Sequence, residues 1–136
     1  MYLVPVRRPA LIARTRWVGD GQGVKRELRV LFVEEDAGYA GLVAYEVNER
    51  ERAVDLVHVR SVEAAIAALA SATFDCLLLD TAVGGRAGLD VVQWLRVRDR
   101  PVPFLVLTAD ETASTAMRAL RLGAREYVVK LSLIHI

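Results

Sequence analysis

An α/β domain on a doubly wound parallel sheet is the fold class this sequence predicts, and three observations predict it. Five short runs are almost uniformly apolar. Longer stretches between them carry apolar residues at helical spacing. The chain of 136 residues, 54% hydrophobic and 26% charged, has room for one core. Runs that are apolar at every position, instead of alternating, belong to strands covered on both faces.

The runs are Val30 to Val33, Leu56 to Val59, Cys76 to Leu79, Phe104 to Leu107 and Tyr127 to Val129. After the first, Tyr39, Leu42, Val43 and Val47 make one apolar stripe of a helix. After the second, Val62, Ala65, Ile66, Leu69 and Ala70 repeat the theme, with Ser61 as N-cap. Leu89, Val92 and Leu95 mark a third helix. Ala113, Ala116, Met117 and Leu120 mark a fourth, with Asp110 as N-cap and Gly123 as a left-handed end. Pro101 and Pro103 stop any helix just before the fourth strand. The order is βαβαβαβαβ. Right-handed crossovers then place helices on both sides of the sheet and ligand sites at the carboxyl ends of the strands.

Charge and cysteine content exclude several classes. Eighteen basic and 17 acidic residues give a net charge of +1, which disfavours a general electrostatic grip on nucleic acid. Cys76 is the only cysteine, so neither a disulfide framework nor a cysteine metal site can form, and a cytoplasmic location fits best. No apolar stretch approaches the roughly 18 residues of a membrane span. Residues 1–26 hold Arg7, Arg8, Arg14, Arg16, Lys25 and Arg26 against Asp20 alone and lack periodicity; they are expected to be a poorly structured basic extension. The folded domain is expected over 27–130. Residues 131–136, Leu-Ser-Leu-Ile-His-Ile, read as one frame of a transposon-derived sequencing adapter and are expected to be a non-native tail.

The chemistry gathers at strand ends. Asp80 closes the third run, Glu34, Glu35 and Asp36 follow the first, Thr108 the fourth and Lys130 the fifth. Clustered carboxylates repel unless a cation joins them, and hard oxygen ligands with room for water suit Mg²⁺; equally, acids can simply begin a helix, where the dipole favours them. An aspartate that forms an acyl phosphate needs a divalent ion and an ammonium to offset phosphoryl charge, and a hydroxyl to bond its oxygen. Lysine occurs only at Lys25 and Lys130, so an ammonium at this strand end is informative.

The stretches RVLFVEEDA, FDCLLLDTAVGGRAGLDVV, FLVLTAD and GAREYVVK, in this order, resemble the receiver domain of two-component response regulators. The resemblance implies a flavodoxin-like sheet of order 2-1-3-4-5, with the family's last helix missing from this chain. It implies that Asp80 is the phosphoacceptor and that Glu34 and Glu35 are the acidic Mg²⁺ pair, joined by Asp80 and the Ala82 backbone carbonyl. Thr108 is then the switch hydroxyl, Lys130 the phosphate-pairing lysine and Tyr127 the aromatic switch residue. Implied partners are a histidine kinase or phosphotransfer protein, with a homodimer through the fourth-helix and fifth-strand face; the output domain stays unspecified. Such a domain is not an enzyme beyond taking and losing its own phosphoryl group. Three departures stand out. Glu35 replaces the usual aspartate, Val83-Gly84 replaces a common Met-Pro pair, and Gly84-Gly85 gives a more flexible loop.

Two alternatives remain open from the residues. A phosphate-independent pseudo-receiver would share the fold with weakened chemistry. A haloacid dehalogenase-like phosphatase would share the nucleophile, but it needs an acid two residues after it, where this chain has Ala82. An FMN site is disfavoured, because three acids follow the first strand where a cofactor phosphate wants a glycine- or hydroxyl-rich loop.

Overall fold

The computed structural model describes residues 27–50, 53–109 and 112–130. The basic extension, the six-residue tail, the Asp110 cap, Glu51 and Arg52 therefore lie outside the described residues.

Every apolar run is a strand. β1 (Leu28–Val33), β2 (Val54–Val59), β3 (Cys76–Leu79), β6 (Phe104–Thr108) and β7 (Glu126–Val129) form one sheet in the order β2-β1-β3-β6-β7. All pairings in it are parallel, with Val33 level with Val59 and Leu79, and Leu79 level with Val106. The expected order is found once the two short strands described below are counted.

Helices α1 (Ala37–Arg50), α2 (Val62–Ser71), α3 (Asp90–Val97) and α4 (Ala113–Arg121) supply the crossovers. Asp36 begins α1: its Oδ1 accepts from Gly38 N at 2.9 Å and Tyr39 N at 3.1 Å. Ser61 Oγ caps α2 by accepting from Ala64 N at 3.0 Å, as expected. Gly123 follows α4 with a φ of +100°, also as expected.

Strand pleating divides the core. Leu31, Val33, Leu77, Leu79, Phe104 and Val106 pack against α2, α3 and Ala119 of α4. Val30, Phe32 and Leu107 pack with Tyr39, Ala40, Val43 and Ala44 of α1. Two helical stripes differ from expectation. In α1, Ala40 and Ala44 are buried in place of Leu42, because small side chains let the helix lie close to the sheet. In α4 the buried anchor is Ala119, while Met117 and Leu120 are exposed.

Between β3 and α3 lies a hairpin that periodicity does not reveal: β4 (Ala82–Val83) and β5 (Arg86–Ala87), antiparallel. The Gly84-Gly85 loop is its turn, with φ values of +57° and +81°. Positive φ at both central residues is the type I′ requirement that glycine meets without strain.

Candidate functional site

Three ladder bonds run one residue past the strand ends. Glu34 N donates to Val59 O at 3.0 Å, Asp80 N to Val33 O at 3.2 Å, and Lys130 N to Thr108 O at 2.8 Å. Each residue so keeps the pleat of the strand it follows. Val30, Phe32, Cys76 and Leu78 face α1, and Glu34 and Asp80 continue those even-numbered rows. Lys130 continues the row opposite Tyr127, so all three side chains emerge on the α1 side. Thr108 shares the pleat of Phe104 and Val106 and lies on the other side.

The three converge. Lys130 Nζ stands 2.6 Å from Asp80 Oδ2 and 2.8 Å from Glu34 Oε1, and all three residues are buried. Burial works against the ammonium's charge, but its hydrogen bonding to Asp80 and pairing with Glu34 outweigh this and raise its pKa above the ordinary lysine value. Glu34 Oε2 accepts from Asp36 N at 3.0 Å, whereas the buried Oε1 has no well-aligned hydrogen bond and meets Lys130 as an ion pair only. Asp80 Oδ1 accepts from Ala82 N at 3.3 Å. That bond ties the start of the hairpin to the carboxylate.

Glu35 does not join this group. It is exposed, and its Oε1 accepts from Gly84 N in the hairpin turn at 2.9 Å. Among the described residues, no three His, Cys, Asp or Glu side chains stand together as a metal-holding group. The ammonium of Lys130 lies between Glu34 and Asp80. Two buried carboxylates side by side, Glu34 and Asp80, are nevertheless the hard oxygen donors that Mg²⁺ accepts, with water completing its shell. Thr108, also buried, has its Oγ1 2.9 Å from Thr81 Oγ1. Tyr127 is half-buried against the core beneath α2, α3 and α4.

Five neighbours escaped sequence reasoning as members of this site. Tyr39, counted only in an apolar stripe, sets its ring 4.6 Å from Lys130 Nζ, and burial pushes its phenol up to about 12. Thr81 holds Thr108. His58, read as a strand residue, donates from Nε2 to Glu34 O at 2.7 Å, while Arg60 Nε donates to Glu35 O at 2.9 Å, so the end of β2 clamps both carbonyls of the acidic pair. Gly88 lies so close that a Cβ there would sit 1.7 Å from Asp80 O. Its spacing from Asp80 was the one available signal.

A hollow of about 280 Å³ opens beside Thr81 and Ala82, edged by Ser114, Thr115 and Arg118. A larger cavity of about 390 Å³, lined by Val92, Leu95, Pro103 and Leu122 among others, lies at the opposite, amino end of β6. It holds none of the converging acids.

Sheet order and a carboxyl edge bearing acid, hydroxyl and ammonium define the class as a flavodoxin-like domain of phosphorelay signalling. The chain belongs to the response regulator receiver domain family, whose model matches residues 30–133. It is 31% identical over 103 residues to the transcriptional regulatory protein QseB of Haemophilus influenzae, covering 76% of this chain and 46% of that protein. It is 34% identical over 101 residues to the sensory transduction protein RegX3 of Mycobacterium bovis, covering 74% and 43%. The chain thus spans less than half the length of these curated relatives. Among solved structures, the non-phosphorylated HemR receiver domain from Leptospira biflexa matches with a TM-score of 0.68 at 25% identity, covering 76% of this chain and 82% of that one. The response regulator TrrA from Thermotoga maritima, in complex with Mg²⁺ and BeF, matches with a TM-score of 0.65 at 25% identity, covering 76% and 86%. No described helix is long and apolar enough to cross a membrane.

Proposed function

We propose that Asp80 accepts a phosphoryl group from the phosphohistidine of a histidine kinase or phosphotransfer protein, and that the domain switches a partner or output surface in response. The observation that carries this reading is the Lys130 ammonium set between Asp80 and Glu34, three residues brought together from the ends of three strands. An oxygen of Asp80 attacks phosphorus in line with the P–N bond. The O–P bond forms as the P–N bond breaks, and the electron pair returns to the imidazole nitrogen. The ammonium then has a phosphoryl oxygen to pair with, in place of a carboxylate.

Glu34 and Asp80, with Glu35 and the Ala82 carbonyl, are the groups that would hold Mg²⁺, whose charge offsets that of the transferring phosphoryl group. Glu35 reaches that position by leaving Gly84. Thr108 turns its hydroxyl to a phosphoryl oxygen, with Tyr127 following inward; phosphate supplies the difference in contacts between the two arrangements. The lack of an acid at Ala82 argues against turnover of phosphomonoesters, so the domain is a phosphoacceptor and not an enzyme on external substrates. Exposed Met117 and Leu120, edged by Arg118, Arg121 and Arg125, suit a homodimer or output contact on the α4–β7 face. The balance of charge gives this domain no direct role on nucleic acid, and the site of action is the cytoplasm.

One observation favours a second reading. Glu35 bonded to Gly84 is drawn away from the other acids, which suits a phosphate-independent pseudo-receiver. Incubation with Mg²⁺ and acetyl phosphate separates the two. The expected result is an acid-stable, base-labile adduct on Asp80 that Asp80→Asn abolishes and that does not form in EDTA. A folded parent protein that takes no label would overturn the acceptor reading and leave the pseudo-receiver.

A further inference from the structure

Lys130 Nζ is met on a third side, besides its two carboxylates, by the ring of Tyr39 at 4.6 Å. The phosphoacceptor reading makes no use of this residue. Its backbone N–H is fixed by Asp36 Oδ1 at 3.1 Å, and the ring packs in the core with Ala40, Val43 and Phe32 at 8% exposure, so its direction is set from both ends. Its hydroxyl is buried with no hydrogen-bond partner among the described residues. A residue present only to fill volume would serve better without that hydroxyl, since a buried unpartnered donor is unfavourable. What the ring adds is the negative face of its quadrupole, set against a cation shielded from water, where this attraction is strongest.

Lysine brings a compact charge on a flexible four-carbon stem, and the stem alone does not fix where the ammonium sits. Two carboxylates attract it but leave it free to favour either, and a phosphoryl group on Asp80 changes that balance.

We propose that Tyr39 is a positioning residue for Lys130: its ring, and not its hydroxyl, holds the ammonium beside Asp80 before and during phosphoryl transfer. The role rests on the reading of Asp80 as acceptor, but the contact itself can be measured without phosphate. Asp36 then acts at one remove, by fixing the turn of α1 from which the ring projects.

The test uses the full chain as parent with Tyr39→Phe, Tyr39→Leu and Tyr39→Met, the last two keeping apolar bulk without a ring. Ring-current shifts of the Lys130 ε-methylene protons are read by NMR, and the rate of Asp80 labelling is read with Mg²⁺ and acetyl phosphate. Parent and Tyr39→Phe are expected to share upfield-shifted ε-protons and to label within about twofold of each other. Tyr39→Leu and Tyr39→Met are expected to lose the shift and to label about thirtyfold more slowly, the scale of a desolvated cation–π contact.

Urea midpoints of the same four proteins separate positioning from packing, because a purely structural role would make rate follow midpoint whether or not a ring is present. Equal labelling by Tyr39→Phe and whichever ringless variant folds would overturn the proposal, as would unshifted ε-protons in the parent. A parent whose ε-protons shift with the ring but whose Asp80 takes no label would sink the acceptor reading and still establish the Tyr39 contact.

Discussion

The two faces of the sheet are built from the same kind of residue and end in different conditions. On one, Leu31, Val33, Leu77, Leu79 and Val106 are wholly buried under α2, α3 and Ala119 of α4. On the other, α1 is the described helix that covers the sheet; beside it Val128 of β7 is 41% exposed, and Leu42 and Tyr45 of α1 itself are 56% and 50% exposed. Both faces read alike in sequence because pleating sends alternate residues of one apolar run to opposite sides. The difference matters for the site. Glu34, Asp80 and Lys130 emerge on the α1 side, whereas Thr108 and Thr81 lie on the fully covered side. The ammonium cluster lies beside the first turn of α1, and Thr81 of the hydroxyl pair borders the hollow edged by α4.

Truncation measures this contrast most directly. Leu79→Ala, under α2 and α3, is expected to cost about 4 kcal/mol, the range for a buried leucine whose cavity cannot collapse. Val128→Ala is expected to cost under about 1 kcal/mol, because the side chain already meets solvent. Urea denaturation of the full chain checks both. Comparable losses would mean that something covers Val128 in solution and that the two faces are equivalent.

Lys130 probes the thin side at the site itself. Lys130→Ala removes the buried cation between Asp80 and Glu34 and leaves two carboxylates facing each other. Breaking a buried ion pair by deleting one partner carries a penalty of about 3 kcal/mol. That loss is expected in EDTA by urea denaturation, with partial recovery on adding Mg²⁺, since a divalent ion can share the oxygens the ammonium has vacated. Equal losses with and without Mg²⁺ would argue that Glu34 and Asp80 do not form a cation site.

These contrasts also mark what the sequence made legible. Strand positions were plain because hydrophobicity along a buried strand is a local property, and Asp80, Thr108 and Lys130 could be placed at strand ends for the same reason. Convergence of Glu34, Asp80 and Lys130 follows from register and pleat together with the strand order that the resemblance implied. Other features depend on distance between segments. Hairpin β4–β5 has strands too short for any period to register, although Gly84-Gly85 is a turn signal in its own right. That Glu35 would reach Gly84 is a matter of one extra methylene and a loop shape set elsewhere. Tyr39 looked like any stripe residue, because an aromatic ring in a core and one facing a cation have the same spacing. Met117 and Leu120 had the right spacing for burial, but Ala119 made the closer approach.

The smallest expected effect lies on the covered side. Thr81 and Thr108 share a hydrogen bond of 2.9 Å, so the proposed switch hydroxyl already has a partner before any phosphoryl group arrives. Where Thr108 is the donor of that pair, it must give the partner up to bond a phosphoryl oxygen. A neutral hydrogen bond contributes about 1 kcal/mol net, so the tie biases the resting arrangement by a factor of several, without locking it. Thr81→Val keeps the shape and removes the hydroxyl. It is expected to lower stability by under about 1 kcal/mol while tightening the binding of beryllofluoride with Mg²⁺, an acyl phosphate mimic, by about threefold, the gain from a tie that no longer has to break. Thr108→Val removes the same bond but also the group that meets the mimic, so it should weaken binding where Thr81→Val strengthens it. Titrations followed by Tyr39 or Tyr127 signals would show the opposite signs; movement in the same direction would mean that the Thr81 contact does not compete with the switch.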